Sequence, residues 1–210
     1  AAVPADQWAD GARQTGSSTI MKDATVAVSP DGSFLAARSG SGSSGSGEKR
    51  LKGYSLTDGQ TSESWHLTLT DTSSTTIRFW GDDTIVVGST LYDVATGEHH
   101  DAPWDSGVAS IVNGLALNCE DGSCTAWKKD GSRAWSVDVD KDAQTPENAI
   151  VRGGKHYVLT GTTVINTDNG TSLILDVPDA THASVVAAQD GWVVVTYDRD
   201  RQDRHLYTFK

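Results

Sequence analysis

The chain has only two cysteines, one methionine and five prolines in 210 residues, and Glu accounts for just five of its 28 acidic residues. Two cysteines cannot staple a disulfide-dense scaffold or complete a four-thiolate zinc centre. The scarcity of Glu beside abundant Asp argues against helix, because Asp stabilises turns through its own backbone whereas Glu favours helical segments. No apolar stretch reaches 18 residues, so no helical membrane span and no membrane insertion by this segment is expected. The first residues lack the basic and apolar regions of a secretory leader, so an exported protein would have lost that segment from this chain. Lys and Arg number only 17 against a net charge of −11 and lie scattered, which excludes a nucleic-acid partner and disfavours anionic membranes. An acidic surface of this kind is otherwise ordinary for a soluble protein.

What the chain does contain is a repeat. Gly59, Gly97, Gly131 and Gly170 each sit in a tight-turn signal between strand-like runs, at successive separations of 38, 34 and 39 residues. That spacing is a β-propeller period. The turns read Thr57-Asp58-Gly59-Gln60, Ala95-Thr96-Gly97-Glu98, Lys129-Asp130-Gly131-Ser132 and Asp168-Asn169-Gly170-Thr171. A second register of turns, Asp31-Gly32, Gly81-Asp82-Asp83, Asn113-Gly114, Gly153-Gly154 and Asp190-Gly191, precedes five apolar runs such as Phe34-Leu35-Ala36-Ala37 and Trp192-Val193-Val194-Val195. Each repeat therefore reads as four antiparallel strands. The expected architecture is all-β: a single five-bladed β-propeller domain over 1–210, with blades at about 24–69, 75–105, 108–138, 148–177 and 181–210. The last repeat stops at Leu206-Tyr207-Thr208-Phe209-Lys210 without a fourth strand, and residues 3–14 around Trp8 are expected to supply it, closing the ring and removing exposed sheet edges.

Cys119 and Cys124 flank Glu120-Asp121-Gly122-Ser123, read as a hairpin loop, so they can face each other across it. A disulfide there closes a short loop and contributes about 2 kcal/mol in the chain-entropy model, enough to fix one hairpin rather than the whole fold. It implies an oxidising, extracytoplasmic setting, either secreted or as the outer domain of an anchored protein. The competing reading is a redox or metal-ligating pair, although no further Cys or His stands at finger-like spacing.

Leu91-Tyr92-Asp93-Val94-Ala95-Thr96-Gly97-Glu98 followed by Trp104 resembles the repeat of the PQQ-like β-propellers, and Ser29-Pro30-Asp31-Gly32-Ser33-Phe34-Leu35-Ala36 resembles the turn of WD40-like bacterial propellers. The resemblance covers most of the chain as a loose repeat and implies blades rather than one activity, since such propellers include dehydrogenases, scaffolds, sensors and lectins. Quinone-dependent members typically have eight blades and a disulfide between adjacent cysteines; five repeats and a separated pair depart from that pattern, so no quinone and no other cofactor is expected.

Loops on a rigid scaffold commonly carry binding. The candidate binding face joins Asp138, Asp140 and Asp142, in the link between the third and fourth repeats, to Asp198, Arg199, Asp200 and Arg201 in the fifth. Alternate carboxylates suit calcium, but the Gly and Glu that an EF-hand loop places at fixed offsets are missing. The Ser/Gly run from Ser39 to Gly47 reads as a flexible insertion. Of the seven tryptophans, Trp8, Trp65, Trp104 and Trp135 recur at outer-strand positions, where they would seal neighbouring blades. Asn169-Gly170-Thr171 matches a glycosylation acceptor but is already explained as a repeat turn.

Catalytic signals are sparse. No Gly-x-Ser-x-Gly elbow occurs, and the runs read as inner strands, Thr25–Val28, Thr75–Ile77, Val108–Ile111 and Ser184–Val186, hold no carboxylates for glycosidase chemistry. The sequence reading is thus a non-catalytic module that binds an unknown protein, small-molecule or glycan ligand, with a lectin or glycoside hydrolase using the acidic loops as the alternative. A second alternative is that these repeats form part of a larger ring.

Overall fold

The computed structural model describes residues 24–39, 49–57, 60–69, 76–105, 109–141, 143, 145–146, 150–174, 183–189, 192–197 and 204–208. Among them no helix forms, and every strand pairs antiparallel. The strands make four four-stranded sheets and one three-stranded sheet, each built only from strands consecutive in the chain.

The first sheet comprises β1 (Ala24–Val28), β2 (Phe34–Ser39), β3 (Arg50–Thr57) and β4 (Gln60–Thr68). The second comprises β5 (Arg78–Phe79), β6 (Thr84–Val87), β7 (Thr90–Asp93) and β8 (His99–Asp101). The third holds β9 (Ser110–Val112), β10 (Leu115–Glu120), β11 (Ser123–Trp127) and β12 (Arg133–Asp138). The fourth holds β13 (Ile150–Arg152), β14 (Lys155–Thr160), β15 (Thr163–Asn166) and β16 (Ser172–Ile174), and the fifth β17 (Ala183–Gln189), β18 (Trp192–Tyr197) and β19 (Arg204–Thr208). The second sheet begins at Arg78, just after the expected Thr75–Ile77, since the pairing with β6 covers only Arg78 and Phe79, while Ile77, Phe79 and Trp80 are all buried.

Turn chemistry dictates these hairpins. Asn113-Gly114 and Asp121-Gly122 both take positive φ at both positions (50° and 75°, 51° and 81°), the geometry that matches a two-residue turn to strand twist. Asp93, Asp130 and Asn169 stiffen the later turns by accepting bonds from the backbone N–H and hydroxyl of Thr96, Ser132 and Thr171 respectively.

Side chains alternate across each strand, so a central strand can feed two cores at once. Phe34 and Ala36 join Ile85, Val87 and Tyr92 between the first and second sheets. Val86 and Leu91 point the other way, to Trp104 and Ala116 between the second and third. Leu117 and Cys124 in turn meet Val158 and Ile165 of the fourth. On the face of the first sheet turned away from the second, Leu35, Ala37 and Tyr54 form a further buried cluster. The first strands stand beside one another in series, β1 by β5, β5 by β9, and β13 by β17.

Two junctions share one latch. Trp65 of β4 donates its indole N–H to the Val94 carbonyl of the second sheet at 2.8 Å, and Trp135 of β12 donates to the Thr167 carbonyl of the fourth at 2.9 Å. Each ring lies against the turn glycine three residues on: a Cβ on Gly97 would stand 2.9 Å from Trp65, and one on Gly170 2.6 Å from Trp135. Only glycine allows that approach together with φ near +74°.

The strand around Trp8 expected to close a ring, the Asp58-Gly59 turn and the Ser/Gly insertion beyond Ser39 lie outside the described residues.

Candidate functional site

The junction between the second and third sheets breaks the latch. Trp104 follows β8 instead of lying in an outer strand, and its N–H goes back to the Gly88 carbonyl of its own sheet at 3.2 Å. The bond to the third sheet is made by Trp80, which donates to the Gly114 carbonyl at 2.8 Å and has Trp104 tilted against it with ring centroids 6.2 Å apart. Nothing stands within 4 Å of a Cβ built on Gly131, the turn glycine that a latch would cover here.

At this junction a cleft of about 400 Å³ opens to solvent, lined by Pro103, Trp104, Asp105, Asn118, Glu120, Asp121, Thr125 and Trp127. Its volume falls in the range of small-molecule sites, roughly 300–1,000 Å³. The alternation of the β10–β11 hairpin builds it. Ala116, Asn118 and Glu120 share one face of β10 and sit opposite Trp127, Thr125 and Ser123 of β11. Ala116 and Trp127 pack toward the second sheet, so this face runs from an apolar floor to a polar mouth at Asp121. Pro103, Trp104 and Asp105, in the link between β8 and β9, line the same cleft, and β9 itself starts at Ser110 opposite Leu117 in the middle of β10.

Asn118 is buried, while Asp105, Glu120 and Asp121 are exposed. Beside the cleft a ladder of hydroxyls crosses the sheet: Ser136 Oγ lies 3.0 Å from both Thr125 Oγ1 and Ser123 Oγ. The indole N–H of Trp127 is buried without a hydrogen-bond acceptor among the described residues. Unsatisfied buried donors are rare in folded proteins, and this one belongs to a residue of the cleft wall.

The opposite face of the hairpin carries Cys119 and Cys124, which are disulfide-bonded cross-strand partners with Cα atoms 3.9 Å apart. Strands β10 and β11 continue to Glu120 and Ser123, so the expected four-residue loop is a two-residue Asp121-Gly122 turn. Past Leu117, the partner of the first residue of β9, the Thr145 hydroxyl bonds the hairpin backbone: it accepts from Cys119 N–H at 3.0 Å and donates to the Cys119 carbonyl at 3.4 Å. Disulfide, turn and hydroxyl together fix the hairpin that presents Asn118, Glu120 and Asp121.

The expected acidic face is distributed differently. Asp138 ends β12 opposite Ser123, beside the same turn, where Val139 N–H donates to the Gly122 carbonyl. Asp140 turns toward the fourth sheet, and its Oδ2 accepts from Thr162 Oγ1 at 3.4 Å. Asp142, Asp198, Arg199, Asp200 and Arg201 lie outside the described residues. Among the described residues no group of three His, Cys, Asp or Glu side chains is arranged to hold a metal.

Sequence reasoning missed Asp105, Asn118, Glu120, Asp121 and Thr125. The signal was present: in Leu115-Ala116-Leu117-Asn118-Cys119-Glu120 the face shared by Ala116, Asn118 and Glu120 turns polar where β2 stays buried from Phe34 to Arg38.

No family model matches the chain, and no curated protein matches it either. Solved structures do match in fold. One is a "putative 6-phosphogluconolactonase" from Bacteroides uniformis, with a TM-score of 0.51 and 9% identity, covering 88% of this chain and 67% of that one. At that identity the likeness is one of fold. It corrects the expectation of a non-catalytic interaction module, which rested on inner strands without carboxylates. A fold shared with a protein bearing an enzyme's name gives no ground for excluding catalysis, and in the present chain the carboxylates gather on a hairpin and an inter-sheet link instead of on inner strands.

Proposed function

We propose that this chain is a carbohydrate-active β-propeller acting outside the cytoplasm, with its saccharide site in the cleft between the second and third sheets. The single observation that carries the reading is the cleft itself: two indoles, three carboxylates, an amide and a hydroxyl converge at a junction where Trp104 turns its N–H back to its own sheet instead of forming the latch. Saccharide recognition needs this mixture, an apolar wall for the C–H faces of the ring and directional polar groups for its hydroxyls.

Several observations support the propeller of five blades, while its PQQ-like or WD40-like kinship rests on the Leu91–Glu98 and Ser29–Ala36 motifs alone. Five sheets follow in order, the first strands run in series, and Leu35, Ala37 and Tyr54 form a buried cluster on the face where a last blade would dock. The Cys119–Cys124 bridge supports an oxidising compartment. Hydrolysis of a glycoside or sugar lactone here would draw its acid and base from Asp105, Glu120 and Asp121, the ionisable groups of the cleft wall.

A glycan array followed by calorimetric titration tests the site, with a screen of chromogenic glycosides and sugar lactones for turnover. The expected result is saccharide binding that is lost in Trp127→Ala and weakened in Asp105→Asn. Failure of every saccharide to bind the wild-type protein would refute the reading.

A further inference from the structure

A chain of sugars needs a track as well as a pocket, and the sheet surface beside the cleft has the makings of one. In the latched junctions the third strand of a sheet turns a buried residue to its predecessor, Tyr92 in the second sheet and Ile165 in the fourth. The third sheet instead turns Ser123 and Thr125 that way, both half-buried, and its outer strand β12 adds Ser136, which is exposed. The preceding sheet does not cover this strip: β8 is three residues long and exposed throughout, and Trp104 is turned back to Gly88. A Cβ on Gly131, in the turn before β12, would also meet open space.

The strip is chemically two-sided. Each hydroxyl carries one proton and two lone pairs. Ser136 Oγ lies 3.0 Å from both Ser123 Oγ and Thr125 Oγ1, and those two contacts use two of the three protons. One O–H donor and several lone pairs are left for an outside partner, which suits a polyol, since its hydroxyls also donate and accept. Thr125 belongs to the cleft wall and to the strip at once, so the two surfaces are continuous. Two strand spacings separate β10 from β12, about 10 Å, the reach of two linked sugar rings.

Resting on the saccharide reading above, we infer that the ligand is an oligosaccharide of at least three linked rings, one seated in the cleft and the next two laid outward across Thr125, Ser123 and Ser136. The indole wall holds the first ring, and the hydroxyl strip selects for chain length.

Oligomers of one to six rings from the cello-, xylo- and chito-oligosaccharide series test this by titration calorimetry on the intact, disulfide-bonded chain. In a series that binds, affinity is expected to rise at least about tenfold from one ring to three, because each added ring joins a chain already anchored, and to level off beyond. Ser136→Leu is expected to bring the six-ring affinity down to that of the single ring, and Ser136→Ala to lower it partway. Residue 136 is exposed on an outer strand, so both variants are expected to keep the wild-type thermal midpoint. Equal affinity for one ring and six, or a gain with length that Ser136→Leu leaves intact, overturns the track and leaves the saccharide site standing. Binding of no oligomer in any series overturns both.

Discussion

Trp65 and Gly97 are locked together across the first junction: the indole packs on the glycine and donates its N–H to the carbonyl of Val94, three residues before it. Trp135 and Gly170 repeat the arrangement across the third. A methyl group at either glycine must displace an indole and must also adopt a φ near +74°. Gly131 shares the positive φ, at 81°, but faces open space. Gly170→Ala is therefore expected to destabilise more than Gly131→Ala by about 1–3 kcal/mol, the usual cost of overpacking. Urea unfolding of the two variants checks this, and equal losses would show that the latch does not constrain the turn.

Asp31 carries a prediction about acid. Hydrogen bonds from Ser29 Oγ, then from the N–H and hydroxyl of Ser33, hold its carboxyl down to about 2 from 3.8. Between those values the unfolded chain binds the proton and the folded one does not, so stability rises with pH through this window. The contribution is fully present above about pH 4 and disappears as pH falls through 2. Asp31→Asn is expected to flatten that slope, read from denaturation midpoints between pH 2 and pH 4, by lowering the neutral-pH midpoint while changing the one near pH 2 little.

Reducing the Cys119–Cys124 bridge is expected to cost about 2 kcal/mol without unfolding the chain, because only a short hairpin is closed by it. The test is the thermal midpoint with and without reductant, alongside Cys119→Ala/Cys124→Ala. Saccharide affinity is expected to fall in parallel, since the same hairpin presents Glu120 and Asp121 to the cleft.

Trp80→Phe removes the one described tryptophan bond between the second and third sheets while keeping much of the apolar contact. A loss of about 1–2 kcal/mol is expected from the unpaired Gly114 carbonyl and the smaller ring. Hydrogen exchange should rise around β9 and β10; an unchanged pattern would assign the junction's rigidity to Trp104 instead.

Much of the architecture was legible because its signals are local. Turn pairs such as Asn113-Gly114 demand positive φ, and apolar runs such as Thr84–Val87 fall between them, so strand order within each sheet follows from the chain alone. The tryptophans were legible as sealing residues at Trp65, Trp104 and Trp135, but Trp104 stands past the outer strand β8 and turns its N–H to its own sheet, which depends on which neighbour it meets. The cleft was hidden for a related reason. Asp105 and Glu120 lie 15 residues apart and acquire a shared environment only when two sheets dock. The conspicuous run Asp138–Asp142 drew attention by density of charge, yet Asp140 is spent on Thr162.

Among the described residues every sheet recruits only neighbours along the chain. Loop closure within a repeat therefore costs little, and a nascent polypeptide can complete one sheet while the next is still being made. Tryptophans 65, 80 and 135 each reach forward to a later repeat, so assembly can advance in the direction of synthesis, each finished unit waiting with an indole for its successor.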